Sequence, residues 1–94
     1  MKIGKLIFRA HAIERMFERE INAEDVCQVI SEGVVIEDYP DDAPYPSCLI
    51  FGWGKGRPIH VVAACNANED QTIVITVYVP DPDQWDEYVR RKKT

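Results

Sequence analysis

The chain has few of the residues from which small proteins usually build recognisable chemistry. Its three cysteines, Cys27, Cys48 and Cys65, are far apart and contain no Cys-x-x-Cys pair. That pattern argues against a disulfide framework and a thiolate zinc site, and it suits small buried hydrophobes. The only two histidines, His11 and His60, have no metal-ligand spacing around them, so no metal and no cofactor are expected. No apolar run approaches the roughly 20 residues that cross a bilayer. The apolar stretch near Met1 is too short and interrupted for a signal peptide, so the expected compartment is the cytoplasm, without membrane contact. Gly52-Trp-Gly-Lys-Gly has no helix after it and reads as a hairpin turn rather than a phosphate loop.

Positive charge is also scarce. The net charge is -5 over 94 residues, a poor starting point for generic nucleic-acid binding, which depends on basic groups releasing counterions. The charges are segregated, however. Between Asn22 and Tyr45 every charged residue is acidic: Glu24, Asp25, Glu32, Glu37, Asp38, Asp41 and Asp42. Basic residues gather as Lys2, Lys5, Arg9, Arg15 and Arg19, as Lys55 and Arg57, and as Arg90-Arg91-Lys92-Lys93. A local basic face for RNA is compatible with this pattern, and so is an ordinary solvated surface.

The length fits one domain spanning 1–94. Lys5 to Arg9 reads as a short strand or an extended lead-in. Ile13, Met16 and Phe17 recur at helical spacing and predict a helix over 10–19, with His11, Arg15 and Arg19 on its polar side. Asn22 with Asp25 forms a capping signal for a second helix over 23–32, which Gly33 ends. The period then shortens. Val34 to Tyr39, Ser47 to Trp53, Ile59 to Cys65 and Gln71 to Val79 read as strands separated by Pro- and Gly-rich turns. Asp83 is a candidate cap for a last helix carrying Trp85, Tyr88 and Val89. The expected class is α+β: two N-terminal helices, a four-stranded antiparallel curved sheet and a short C-terminal helix.

Strand alternation gives His60 its interest. It shares a face with Val62 and Ala64, while Thr72, Val74, Thr76 and Tyr78 share one face of the last strand and Ile73, Ile75, Val77 and Val79 the apolar other. With His60 beside Thr76 and Tyr78, an imidazole, a phenol and a hydroxyl converge on an open sheet surface, which Arg15 or Arg19 could cover from the helix. Those types suit metal-independent cleavage of RNA by its own 2′-hydroxyl, which needs a base, an acid and cations at the phosphate. The competing reading is a histidine hydrogen-bonded at a sheet edge.

The succession His11-Ala-Ile-Glu-Arg-Met-Phe-Glu-Arg, Gly33, Tyr45-Pro-Ser47, Pro58-Ile-His-Val-Val, Ile75-Thr-Val-Tyr-Val-Pro and Trp85 resembles the domain-of-unknown-function family DUF4258 over nearly the whole chain. That family is similar to the RelE-like ribonuclease toxins. The resemblance implies a RelE-like fold, a toxin of a type II toxin–antitoxin system, messenger RNA as substrate, free or on the ribosome, and a cognate antitoxin of zinc-finger type. It places His11, Arg15, Arg19, His60, Thr76 and Tyr78 at the family's polar motif positions. The expected roles are His60 as base or acid and Tyr78 as donor or complementary acid. Arg15 and Arg19 would clamp the phosphate with Thr76, and His11 would be a second acid–base group or an orienter of Arg15. The alternative is a non-catalytic interaction domain whose acidic segment, Glu37 to Asp42, binds a basic protein partner.

Overall fold

A computed structural model describes residues 3–92. The chain runs β1 (Lys5–Phe8), α1 (Ala10–Arg19), α2 (Ala23–Glu32), β2 (Val34–Tyr39), β3 (Ser47–Gly54), β4 (Arg57–Asn66), a 3₁₀ turn, β5 (Gln71–Tyr78), β6 (Trp85–Asp86) and β7 (Arg90–Arg91). Both helices take the bounds that the sequence predicts. Their ends explain why. Asn22 accepts from the Asp25 backbone N–H while the Asp25 carboxylate accepts from the Asn22 N–H, a reciprocal capping box. Helix α1 closes through Glu20 in the left-handed region, with the Glu20 and Ile21 N–H groups donating to Phe17 and Met16 carbonyls. The Arg57 guanidinium donates to the Arg19 and Glu20 carbonyls at 2.8 and 2.7 Å, which ties the β3–β4 turn to that helix end.

The sheet differs from expectation in two ways. It is five-stranded and mixed, in the order β1-β5-β4-β3-β2, because Lys5–Phe8 pairs parallel with Gln71–Val74. The segment that could be strand or lead-in is a strand because β5 has an open edge there, and the helical crossover returns the chain to it. Nor is 85–91 a helix. Asp83 donates its N–H to the Asp81 side chain, and Trp85–Asp86 pairs antiparallel with Arg90–Arg91 in a small separate sheet. A lone turn or two of helix is weak in water, whereas Trp, Tyr and Val favour pleated surfaces. The hairpin also lets Trp85 reach the main sheet.

Helix α2 lies on β3 and α1 on β5. Their contact makes one core: Ala12, Val26, Val29 and Ile30 from the helices, with Ile50, Ile59, Val61, Ala63, Val74 and Val77 from the sheet. Gly52 allows the close approach, since a Cβ there would stand 3.1 Å from the Val29 Cα. Strict alternation forbids Val74 and Val77 from sharing a face. A bulge resolves this, because Val62 pairs with Thr76 but Ala63 with Val74, leaving Ile75 as the extra residue. The α1 stripe also turns out differently. Ala12 is the buried contact, while Ile13 and Phe17 are 54% and 87% exposed, because the small Ala12 lets α1 settle close to β5. Among the described residues no helix is long and apolar enough to cross a membrane.

The capping box should be visible in stability. Replacing Asn22 by Ala is expected to lower the unfolding free energy by about 1 kcal/mol, measured by urea titration, with an unchanged m-value.

Candidate functional site

The face of the sheet away from the helices carries the polar residues. Ile59 and Val61 belong to the helix-side core, so alternation turns His60 to the other side. There His60 pairs with Phe51 on β3 and with Tyr78 on β5. Central strands on both flanks fix its backbone, and the bulge at Ile75 brings Tyr78 and Thr76 onto its face. The hydroxyl of Tyr78 lies 3.2 Å from His60 Nδ1. The carbonyl of Tyr88 lies 2.6 Å from His60 Nε2. A carbonyl only accepts, so Nε2 carries the proton and donates to Tyr88. Nδ1 of the neutral ring then accepts from the Tyr78 hydroxyl.

The 85–91 hairpin lies over this pair. Trp85 meets the imidazole edge-on with centroids 4.5 Å apart, and the Tyr88 ring packs on Phe51 and Trp53 at 5.9 and 5.8 Å. Arg91 places its guanidinium 4.7 Å above the Trp85 ring and donates to Glu37 through Nε and Nη2 at 2.8 and 3.2 Å. Glu37 also accepts from the Tyr39 hydroxyl. A continuous polar and aromatic network thus runs Tyr39–Glu37–Arg91–Trp85–His60–Tyr78. His60 is 0% exposed, so the surface expected to be open is covered.

The electrostatics follow from that cover. Burial pushes the His60 pKa below the ordinary imidazole value, and the Tyr88 carbonyl and the Glu37 charge oppose the shift. Burial pushes the Tyr78 phenol up. Hydrogen bonds from Arg91 hold the Glu37 carboxyl below the usual carboxylate range, against the effect of burial. Burial, and then the bond to Glu37, raise Tyr39. At neutral pH the site therefore holds a neutral imidazole with its proton on Nε2, a protonated phenol and an ion pair. Such an imidazole can accept a proton at Nδ1 once the phenol turns away.

The predicted residues divide into two groups. His60 and Tyr78 meet, and Thr76 stands on their face, opposite Val62. His11, Arg15 and Arg19 are exposed on α1, which packs on the helix side of the sheet through Ala12. They stand across the sheet from His60 and do not cover it. Arg15 is paired with Glu18 at 2.8 Å. Lys2 and Lys93 of the basic clusters lie outside the described residues. Sequence reasoning missed Glu37, Tyr39, Trp85, Tyr88 and Arg91 as neighbours of His60. The i, i+2 spacing of Glu37 and Tyr39 on a strand was a usable sign. Arg91 reads as part of a ragged basic end, and nothing in the sequence aims it at Glu37. Two surface hollows, about 260 Å³ beside Val34, Phe51 and Trp53 and about 730 Å³ beside Phe17 and Lys55, are not lined by His60 or Tyr78. Among the described residues no three His, Cys, Asp or Glu side chains gather at metal-binding distance.

The profile of a domain of unknown function, DUF4258, matches residues 8–79. The match spans most of the chain, and the protein belongs to that family. It takes in His11, Arg15, Arg19, His60, Thr76 and Tyr78 and ends before the hairpin that packs over His60. No curated protein and no solved structure matches the chain.

The depressed His60 pKa has a signed consequence. The native state binds its proton less readily than the unfolded chain, whose histidine titrates near 6.5. Between the depressed native value and about 6.5 the unfolded state holds more protons, so stability falls as pH falls through that window. Glu37 has the same sign but acts below the ordinary carboxylate range, which leaves pH 7 to 5 to His60. Urea unfolding should show a lower midpoint at pH 5 than at pH 7. His60→Gln should lose most of that dependence while being less stable at pH 7.

Proposed function

We propose that this member of the DUF4258 family is a metal-independent endoribonuclease toxin, related to the RelE-like toxins and restrained by a cognate antitoxin, with a zinc-finger protein as the type of partner. Its substrate is messenger RNA in the cytoplasm. The observation that supports this reading is the His60–Tyr78 pair, an imidazole nitrogen and a phenol 3.2 Å apart and set in register by two central strands. In internal attack, His60 Nδ1 takes the proton of the RNA 2′-hydroxyl, which forms the new bond to phosphorus. The Tyr78 hydroxyl gives a proton to the departing 5′-oxygen, and Thr76 donates to a phosphate oxygen. His11, Arg15 and Arg19 offer an exposed ridge on α1 for the RNA backbone, on the far side from the acid–base pair.

A second reading has its own observation. His60 is wholly buried with both ring nitrogens bonded, which suits a structural imidazole. Asp38, Asp41 and Asp42 line an exposed acidic margin. On this reading the domain is a binding module for a basic protein partner, and substitutions at His60 change stability alone.

Expression of the chain should arrest growth, and the purified protein should cleave RNA in the presence of EDTA. Tyr78→Phe keeps the ring and removes the hydroxyl. It is expected to lower cleavage by about 10²-fold or more, with a small drop in thermal midpoint because the buried Nδ1 of His60 loses its donor. His60→Ala should abolish cleavage but also leave the Tyr88 carbonyl buried without a donor, so its stability must be read beside its activity. Intact RNA and unimpeded growth with wild-type protein would falsify the enzyme reading.

A further inference from the structure

The 85–91 hairpin is bound to the molecule in an unusual way. Its ladder has only the pairs Trp85–Arg91 and Asp86–Arg90, and it bonds to no strand of the main sheet. What holds it there is side chains: His60 on the Tyr88 carbonyl, Glu37 on Arg91, and the packing of Trp85 and Tyr88 on His60, Phe51 and Trp53. Its tip is intrinsically unfavourable. The Val89 N–H donates to the Asp86 carbonyl, and both residues between, Glu87 and Tyr88, have positive φ of 52° and 67°. That is the pattern of a type I′ turn, which strongly prefers Asn and Gly. Here a glutamate and a tyrosine occupy it, each at a steric cost. The segment that joins it to β5 is exposed over 81–84; Gln84 and Trp85 donate N–H to the Asp81 carbonyl, and the Gln84 carbonyl accepts from the Lys92 N–H at the open end of the hairpin.

A strained turn, a short ladder, an exposed connector and few anchoring bonds are the marks of a unit that opens below the threshold for global unfolding. What it covers is the His60 imidazole, which is 0% exposed beneath it, while its partner Tyr78 stays half-buried. We propose that the hairpin Trp85–Arg91 is an autoinhibitory cover that pivots at 81–84, with the Arg91–Glu37 ion pair and the His60–Tyr88 bond as its two latches. This rests on the ribonuclease reading for its purpose, though not for its mechanics. Opening frees Nε2 of His60 and uncovers the imidazole, while Nδ1 keeps its bond to Tyr78 on β5 until the phenol turns away. It leaves the helix-side core and every strand of the main sheet intact. The same contacts make the cover a site of control, because a ligand that takes Glu37 or Arg91 for itself shifts the balance toward the open form.

The chain carries its own reference, since it has one covered histidine and one exposed. Acylation by diethylpyrocarbonate, read residue by residue by peptide mass spectrometry on the full-length protein, reports when solvent reaches each imidazole. In wild type, His60 should react more slowly than His11 but much faster than the global unfolding equilibrium from urea titration allows. Arg91→Ala breaks one latch and should raise the His60 rate several-fold. Glu37→Gln breaks the same latch from the other side and serves if the first variant folds poorly. Glu87→Gly relieves the left-handed strain and should lower the His60 rate. The His11 rate should stay constant throughout. A His60 rate that is the same in all variants, or that equals the rate of global unfolding, overturns the cover. RNA cleavage on the same samples separates the two ideas. Cover motion without any cleavage removes the ribonuclease reading and keeps the cover, while cleavage with a His60 rate indifferent to these variants removes the cover alone.

Discussion

The buried imidazole of His60 joins two parts of the molecule that have no backbone bond to each other. One ring nitrogen accepts from Tyr78 on the neighbouring strand, and the other donates to the carbonyl at the tip of the hairpin. Histidine is the side chain that can do both at once while neutral, with a donor and an acceptor held at a fixed angle on one ring. Around that point collect Phe51, Trp85 and, one step further out, Trp53 and Tyr88. The second face of the sheet is thus sealed by aromatic packing centred on a polar atom pair. Unpaired polar atoms there would be costly, and among the described residues no buried side-chain nitrogen or oxygen is left without a partner.

The molecule is therefore layered unequally. On one side, two capped helices bury an aliphatic core that includes Val26, Val29, Ile30, Ile59 and Val61. Burial of this kind is non-directional and tolerant, and it supplies most of the folding drive. On the other side, a short hairpin is held by a few directed contacts. The first layer can stand while the second moves, which separates the stability of the fold from the accessibility of the acid–base pair. Several cations that an acidic chain possesses are committed within its own structure. Arg57 holds the end of α1, Arg15 pairs with Glu18, and Arg91 bridges Glu37 and Trp85.

Chemistry on this fold is divided by the sheet. The imidazole and phenol lie on the covered face, and the exposed His11, Arg15 and Arg19 lie with α1 on the other. A catalytic account must work with Thr76 and backbone groups close to His60, and must allow the hairpin to leave. The phenol also has a structural reason, since a buried Nδ1 needs a donor that an aliphatic side chain lacks. The network through Glu37 and Arg91 links the acidic margin of β2 to the same place through one ion pair.

Local chemistry alone determined the bounds of the two helices, the capping box and Gly33 end of α2, and the strand sequence from Val34 to Tyr78, and it left the meeting of His60 with Tyr78 to the cross-strand register. Capping, period and turn residues act within a few positions along the chain, so they are legible without knowing what lies opposite. Only the tertiary structure decided the rest. The parallel pairing of Lys5–Phe8 depends on an edge more than sixty residues away. The bulge at Ile75 changes which of Thr72, Val74, Thr76 and Tyr78 share a face, and strict alternation placed all four together. Trp85, Tyr88 and Val89 fit a helical stripe as well as they fit a hairpin, and the choice was made by the aromatic surface waiting at Phe51 and His60. That surface also turned an expected open site into a covered one, because exposure belongs to what packs above a residue and not to the residue's neighbours in sequence.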